Sequence, residues 1–472
     1  MPAERVLVAG ATGYIAGRLV PRLLERGYRV RCLARSPHRL ASRDWFPQVE
    51  VVAGDVMQPS SLAPALEGVH TAYYLIHNMA SGSGYTAREQ DGARNFRVAA
   101  ESSGLGHIIY LGGLADPDER IAAHMRSRIA TGETLRQGKV PVTEFRAGII
   151  VGPGSISFEM IRFMTELMPV IFGPVWLGNR AQPIAVQNVI DYLLAALEAR
   201  SGRGRIYEIG GPDVLSFADL MVTYGCMRGL WRREITVPGM PVWFMALGVE
   251  LMTPVPASIA RPLVDSMRTH SQVHDDLALR TFPDVRLLGY REAVQHSLEG
   301  LHPRSLEPVW RASSAPVTVL KHEGFFIDHR CLSVRAPAKR VFRVVSGLGG
   351  AEGWLYADWL WVLRGAIDRL LGGPGLRGRV GRLQVGEVVD FYRVEALEEP
   401  RALLLKAELK APGQGWMEWR VEGKPDGTAV LSQTGFFAPR GLPGFAYWYL
   451  LNPIHCAVFR GLIRAIARRS EA

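Results

Sequence analysis

A short apolar run, Arg5-Val6-Leu7-Val8-Ala9, stops at a glycine and leads straight into Gly10-Ala11-Thr12-Gly13-Tyr14-Ile15-Ala16-Gly17. Apolar residues then recur at helical spacing, at Ile15, Leu19 and Leu23 with Val20 and Leu24 beside them, as far as Gly27. The pattern is strand, tight turn, helix, and no other stretch constrains the fold as much. Gly10 takes turn dihedrals that a side chain resists, Gly13 lets the backbone approach a bound diphosphate, and the small Ala16 lets the helix lie close to its strand. The first N–H groups of such a helix have no intrahelical partner and favour an anion. A glycine-rich turn can also serve geometry alone. Here a second strand follows about thirty residues on, as a dinucleotide-binding βαβ unit requires, so Gly10, Ala11, Thr12, Gly13, Tyr14 and Ile15 are assigned to the cofactor.

The second strand, residues 29–35, ends in Arg35 where a carboxylate would accept the ribose 2′-hydroxyl of NAD. An arginine there suits a 2′-phosphate, which favours NADP (NADPH) over NAD; the other reading is an exposed surface arginine. A third strand, 49–53, stops at Gly54-Asp55-Val56, placing Asp55 and Val56 beside the adenine, although Asp55 also suits the cap of a helix starting near Ser60. The apolar run 71–76 ends in His77-Asn78-Met79, followed by the glycine- and serine-rich stretch 81–84. Because an open parallel sheet binds ligands at the carboxyl ends of its strands, His77 is expected to face the cofactor. A helix over 85–103 and a fifth strand over 107–111 follow, bringing Leu111 and then Gly112-Gly113 to the same edge. Strand and helix alternate throughout, which predicts an α/β fold, a doubly wound parallel Rossmann sheet with helices on both faces.

These residues, with Arg146-Ala147-Gly148-Ile149-Ile150-Val151-Gly152-Pro153-Gly154, Gln182-Pro183-Ile184, Asn188-Val189 and Tyr207-Glu208-Ile209-Gly210-Gly211-Pro212, resemble the atypical, NmrA-like branch of the short-chain dehydrogenase/reductase superfamily over about residues 3–300. The resemblance implies an NAD(P)H-dependent oxidoreductase. Typical members carry a serine near the end of the fifth strand and a Tyr-x-x-x-Lys helix beyond it. This chain has glycines in the first place and His124-Met125-Arg126-Ser127-Arg128 in the second. On that alignment His124 replaces the tyrosine and Arg128 the lysine, with i,i+4 spacing keeping them on one helix face. A histidine exchanges protons near neutral pH and an arginine fixes a ribose hydroxyl. The competing readings are a solvated helix with a surface histidine, and a protein that binds NADP(H) as a sensor or ligand carrier without turnover.

At 472 residues, with 48% hydrophobic and 21% charged, the chain has the composition of two or three globular domains. The net charge of +10 carries little weight for a nucleic-acid partner, because only six of the 55 basic residues are lysines and no aromatic-studded basic tract occurs. Cys32, Cys226, Cys331 and Cys456 lie far apart, so neither a metal site nor a disulfide framework is expected. A reducing, cytoplasmic compartment follows from that cysteine usage and from an N-terminus that enters a strand at once. The apolar stretch 242–252 carries Glu250 and is too short to span a membrane, so no transmembrane segment is expected; a peripheral membrane contact stays open.

An amphipathic helix is predicted over 155–167, and the apolar segment 213–300, rich in Trp, Phe, Met and Pro, is expected to form the substrate side of the cleft or an interface. The nucleotide-binding domain is thus set at 1–302, with a linker over 303–316 and a second domain over 317–472. There the pattern turns to alternating strands at 331–334, 383–393, 402–409, 415–421 and 428–437, a short helix at 338–346 and a long helix from 453 to 469. That order resembles the α+β, START-like helix-grip fold, which implies a cavity for a small hydrophobic ligand. Trp354, Trp359, Trp361, Trp416, Trp419 and Trp448 are its candidate lining, the glycine-rich 365–382 its candidate gate, and His455 is read as a satisfied structural histidine.

Overall fold

The computed structural model describes residues 4–77, 84–115, 121–199, 202–312, 315–379, 381 and 383–472. Two compact units divide the chain, Met1–Ala312 and Ser313–Ala472. Asn78, Met79, most of the glycine- and serine-rich stretch 81–84, Ser313-Ser314 and Arg382 lie outside the described residues.

The first unit is an α/β domain built on seven parallel strands: β1 (Arg5–Ala9), β2 (Arg29–Ala34), β3 (Glu50–Ala53), β4 (Thr71–Tyr74), β5 (His107–Gly113), β6 (Val142–Ala147) and β7 (Ile206–Ile209). Their order is β7-β6-β5-β4-β1-β2-β3, so the chain reverses direction across the sheet between β1 and β4. Strand alternation shows why β1 is apolar without a break. Val6 and Val8 enter the core on one face with Tyr73, Phe145 and Tyr207; Leu7 and Ala9 enter the core on the other with Ala72, Tyr74 and Phe96. Helix α1 (Tyr14–Glu25) covers the first face with Leu19, Val20 and Leu23. Helices α2 (Tyr85–Ser102) and α3 (Ala123–Arg136) pack against each other, and α2 supplies Ala93, Phe96 and Ala100 to the second face. In the middle of β6 the fully buried Glu144 is held between Arg136 and Arg146, the latter at 2.8 Å.

The glycines at 112 and 113 belong to β5 rather than to a turn after it. A side chain at Gly113 would meet Met125 at 2.6 Å, so that glycine is what lets α3 lie against the strand. The segment set as a linker is partly packed. Leu306 and Trp310 are buried, and Glu307 pairs with Arg43 at 2.5 Å and Arg18 at 3.5 Å, which ties residues up to 312 into the first unit.

The second unit is an antiparallel sheet of seven strands: β8 (Val317–His322), β9 (Phe325–Val334), β10 (Val388–Val389), β11 (Tyr392–Glu398), β12 (Ala402–Ala407), β13 (Gly413–Gly423) and β14 (Ala429–Pro439), in the order β8-β9-β14-β13-β12-β11-β10. Helices α4 (Ala338–Ser346), α5 (Asp358–Leu370) and α6 (Gly441–Glu471) accompany it. The β8–β9 hairpin turns on Glu323 and Gly324, both with positive φ (49° and 84°), which matches the right-handed twist of the strands it joins. Helix α6 packs on β9, β14 and α4, burying Val458, Leu462, Ile463 and Ile466 beside Trp354, Trp361 and Trp419.

Two elements differ from the sequence expectation. The strand expected over 383–393 is split between Val388–Val389 and the start of β11, because left-handed backbone at Gly386 and Asp390 turns the chain on either side of the short piece. Helix α6 begins at Gly441 instead of residue 453 and runs through Pro453. Phe445 and Trp448 dock its first turns on Phe326, whose ring stacks on Trp448 at 5.0 Å, and that packing outweighs the hydrogen bond the proline removes.

Candidate functional site

Gly10 and Gly13 form the turn between β1 and α1. Gly10 has φ +89°, and a Cβ there would lie 2.7 Å from the carbonyl oxygen of Leu75, the residue after β4. The Gly13 N–H donates to the Gly10 carbonyl at 2.9 Å, and no side chain caps α1. Bare helix N–H groups therefore face outward at the point where β1 and β4 diverge, the position at which open α/β sheets hold phosphates. The residues fit a dinucleotide: the cradle is one that a side chain would fill.

The other assigned residues divide into those at this edge and those consumed by packing. Thr12 is exposed beside the turn, and Ala11 is fully buried under it. Ile15 packs partly into the core, while the Tyr14 ring carries the Arg18 guanidinium at 4.0 Å and Arg18 donates to the Pro153 carbonyl at 2.6 Å. Arg35 follows the last residue of β2 as an exposed side chain with no partner among the described residues. Asp55 accepts the Met57 N–H at 3.0 Å, so it closes its own turn and does not cap the helix that follows at Leu62–Leu66. Val56 is a core residue whose carbonyl takes Asn95 of α2 at 2.9 Å. Leu111 is likewise buried, and its carbonyl accepts from Arg128 at 2.9 Å.

The structure brings His77, His124 and Arg128 into one cluster and adds two residues that the sequence reading did not single out. Glu89, on α2 and 4% exposed, accepts from the His77 Nδ1–H at 2.7 Å and from the Ser127 hydroxyl at 2.5 Å. A buried carboxylate thus joins the end of β4 to α3. His124 is no surface histidine: it is 3% exposed, and its Nδ1 has no hydrogen-bond partner among the described residues. Burial first, then the Arg128 and His77 charges, hold His124 down to about 4, so the imidazole is neutral at neutral pH. Burial also lowers His77, against the pull of its Glu89 hydrogen bond. Arg128 is fixed from two sides, donating to Leu111 while its own carbonyl accepts from the Tyr110 hydroxyl at 2.8 Å. Glu89 carried no local signal in the sequence, because its partners lie twelve residues before it and 38 after it.

The segment expected to form the substrate side contains helices at Val242–Met252 and Ala257–Ser266. A cavity of ≈ 60 Å³ lies among Met160, Met164, Phe217 and Met245, and an open one of ≈ 550 Å³ is lined by Asp265, Arg268, Thr269 and His270 together with residues at the start of α3; Trp243 and Phe244 are exposed.

The second unit holds a mostly apolar cavity of ≈ 530 Å³ between the sheet and helices α5 and α6. Trp361, Tyr392, Trp416, Phe436, Trp448 and Phe459 line it. Trp354 and Trp419 belong to the packed core instead, and Trp359 faces outward. His455 also lines the cavity, stacked on Phe459 at 5.6 Å. Its Nδ1 is buried without a partner among the described residues, contrary to the reading of a satisfied histidine, and burial holds it down to about 4. Of the glycine-rich candidate gate 365–382, residues 365–370 are part of helix α5, and the stretch after it is tied down: the buried Asp368 accepts from the Gly375 N–H at 2.9 Å and the Lys410 N–H at 2.6 Å.

Residues 10–137 match a family described as NAD(P)H-binding, and residues 322–462 match DUF2867, a family described as a protein of unknown function. The chain is similar to the photosystem II assembly factor Ycf39 of Cyanophora paradoxa, 25% identical over 249 residues that make up 51% of this chain and 73% of the relative. It is also similar to the ceramide reductase of Caulobacter vibrioides, 30% identical over 172 residues, 35% of this chain and 53% of that protein. The structure of Citrobacter sp. triphenylmethane reductase in complex with NADP(H) shares the fold, with a TM-score of 0.51 at 20% identity over 62% of this chain and 99% of that one. The first unit is an NAD(P)H-binding Rossmann-like domain.

Proposed function

We propose that the chain is an NADP(H)-dependent oxidoreductase of the NmrA-like, atypical short-chain dehydrogenase/reductase type, acting on a hydrophobic carbonyl, enone or quinone-like substrate. The observation that carries this is the convergence of His77, Glu89, His124, Ser127 and Arg128 beside the cofactor turn, because a nucleotide-binding site alone requires no buried carboxylate relay. A bound nicotinamide dinucleotide supplies the hydride. The Gly10–Gly13 turn and the N-terminus of α1 hold the diphosphate, Arg35 the 2′-phosphate, and Arg128 a ribose hydroxyl. His124, kept neutral, offers an imidazole N–H to the developing oxyanion, and the Ser127–Glu89–His77 chain fixes the tautomer of His77 beside it. The name of the ceramide reductase supports an apolar substrate.

In the same reading the second unit is a START-like module whose cavity holds an apolar ligand; a cavity of this size lined by rings suits a ligand with a bulky nonpolar body. The alternative, an NADP(H) sensor without turnover, is favoured by one observation: His124, neutral at neutral pH, has its N–H to lend as a hydrogen bond but no imidazolium proton to transfer. Titration of the full chain with NADPH and NADH, followed by NADPH oxidation against lipophilic ketones, enones and quinones, separates the two. NADPH binding with no oxidation across that panel decides for the sensor.

A further inference from the structure

Helix α5 is turned the wrong way for an ordinary surface helix. Trp359, Val362, Leu363, Ala366, Ile367 and Leu370 fall on one face at helical spacing, and that face is the exposed one, with Trp359 67%, Val362 58% and Leu370 87% exposed. The inward face instead carries Trp361, Gly365 and the buried Asp368. The first half of α6 repeats the pattern: from Gly441 to Phe459 it contains no Asp, Glu, Lys or Arg, and Leu442, Tyr449, Leu450 and Ile454 are exposed. Leu363 and Ile367 of α5 and Ile454 of α6 both stand exposed and line the cavity. The two apolar faces are therefore the lips of its mouth.

The charges beside these lips are mainly basic. Arg364 and Arg369 lie at the two edges of the α5 stripe, and Arg364 donates to the carbonyl of the exposed Lys410 at 3.5 Å. Of the acidic residues of α5, Asp368 is buried, and Asp358, exposed in the first turn, accepts the Trp354 N–H at 2.6 Å. An apolar stripe edged by arginines is the design of a helix that lies in the plane of an anionic bilayer surface. Helix α6 is long and apolar enough to cross a membrane by length and composition. Its second half, however, is built into the core of the unit through Val458, Leu462 and Ile466, which fits lying on a bilayer rather than crossing it.

We infer that the second unit docks on an anionic phospholipid bilayer through the exposed faces of α5 and the first half of α6, with the cavity mouth against the lipid. Loading of an apolar ligand from the bilayer rests on the cavity reading above; docking does not. The test is flotation of the full chain with phosphatidylcholine vesicles with and without phosphatidylglycerol, alongside uptake of N-phenyl-naphthylamine from solution. The wild type floats with the anionic vesicles and much less with the neutral ones. Val362→Asp combined with Leu370→Asp, neither of which lines the cavity, lowers that binding at least about tenfold while leaving probe uptake unchanged, which also shows the variant folded. Arg369→Gln weakens the preference for anionic vesicles. A wild type that stays off anionic vesicles, or a double variant that floats as well as the wild type, overturns the proposal. So does self-association that the double variant abolishes without any vesicle binding, which gives the face to a second copy of the chain. Flotation without probe uptake leaves docking standing and removes the cavity reading.

Discussion

The two units collect their polar groups in opposite ways. At the carboxyl edge of the parallel sheet, the His77 imidazole and the Ser127 hydroxyl meet on the buried Glu89 carboxylate, with His124 and Arg128 in the same cluster; in the antiparallel unit a cavity of ≈ 530 Å³ is walled mostly by rings and aliphatic chains, with His455 against one wall. Topology accounts for the contrast. A doubly wound sheet has one place where neighbouring strands send their connections to opposite faces, and every strand end near it delivers a side chain there. An antiparallel sheet has no such point. Its space arises where long helices stand off the sheet, and residues from five separate stretches must be arranged to leave it open.

The strongest way to break this contrast is to remove the imidazole on which the first cluster turns. His124→Ala is expected to lower the hydride-transfer rate by roughly 10²–10⁴-fold, the range for losing a positioned proton-exchanging group. Cofactor affinity and probe uptake by the second unit should both be kept. Unchanged turnover would reduce the cluster to a structural polar core, no different in kind from Glu144 with its two arginines. Single-turnover measurement of NADPH oxidation reads the chemical step.

A smaller effect is expected at Arg35, which stands at the far end of the same edge. Arg35→Ala should cost about 1.5–3 kcal/mol of NADPH affinity, the worth of hydrogen bonds to a charged group, and leave NADH affinity nearly unchanged. Fluorescence titration of both cofactors measures it. Equal affinities in the wild type would remove the 2′-phosphate assignment and leave Arg35 as a solvated side chain.

How far each region was legible in the sequence follows the same division. The strand–turn–helix, the alternation of strands and helices, and the positions of His77, His124 and Arg128 were readable because each depends on residues near one another in the chain. Glu89 was not, since nothing within α2 marks one glutamate among its polar neighbours; only the packing of α2 on α3 selects it. Of the two local roles open to Asp55, the helix cap falls away, because its carboxylate closes its own turn on the Met57 N–H. In the second unit the strands and the aromatic wealth were readable, but which tryptophans face the cavity was not. Trp361 and Trp359 are two residues apart on one helix and point to opposite sides. The early start of α6 was hidden by Pro453, whose local penalty is overruled by Phe445 and Trp448 packing far away in sequence.

The smallest expected effect sharpens the comparison through acid. Among the described residues, burial holds His107 down to about 3 and His124 to about 4 in the first unit, and His455 to about 4 in the second, from an ordinary value of 6.5. His77 is lowered as well. Each is neutral in the folded chain, while its unfolded counterpart takes up a proton once the pH falls below 6.5. The unfolded state therefore binds more protons across the interval between 6.5 and the folded value, and stability must rise with pH there. The contribution is fully present above 6.5 and is lost as the pH falls toward about 4. Each such histidine costs about 1 kcal/mol per pH unit over that interval. Down to about pH 5 the carboxylates are still ionised and add little, so the histidines dominate the slope. The first unit, with more of them, should lose protection faster than the second when amide hydrogen exchange is followed from neutral pH down to about 5. His455→Phe, which keeps a ring on Phe459, should flatten the slope of the second unit alone, and His107→Gln should flatten that of the first. Equal slopes in the two units would mean that the buried imidazoles near the cofactor edge are protonated by a neighbour or reached by water, and the neutral state assigned to His124 would fall with them.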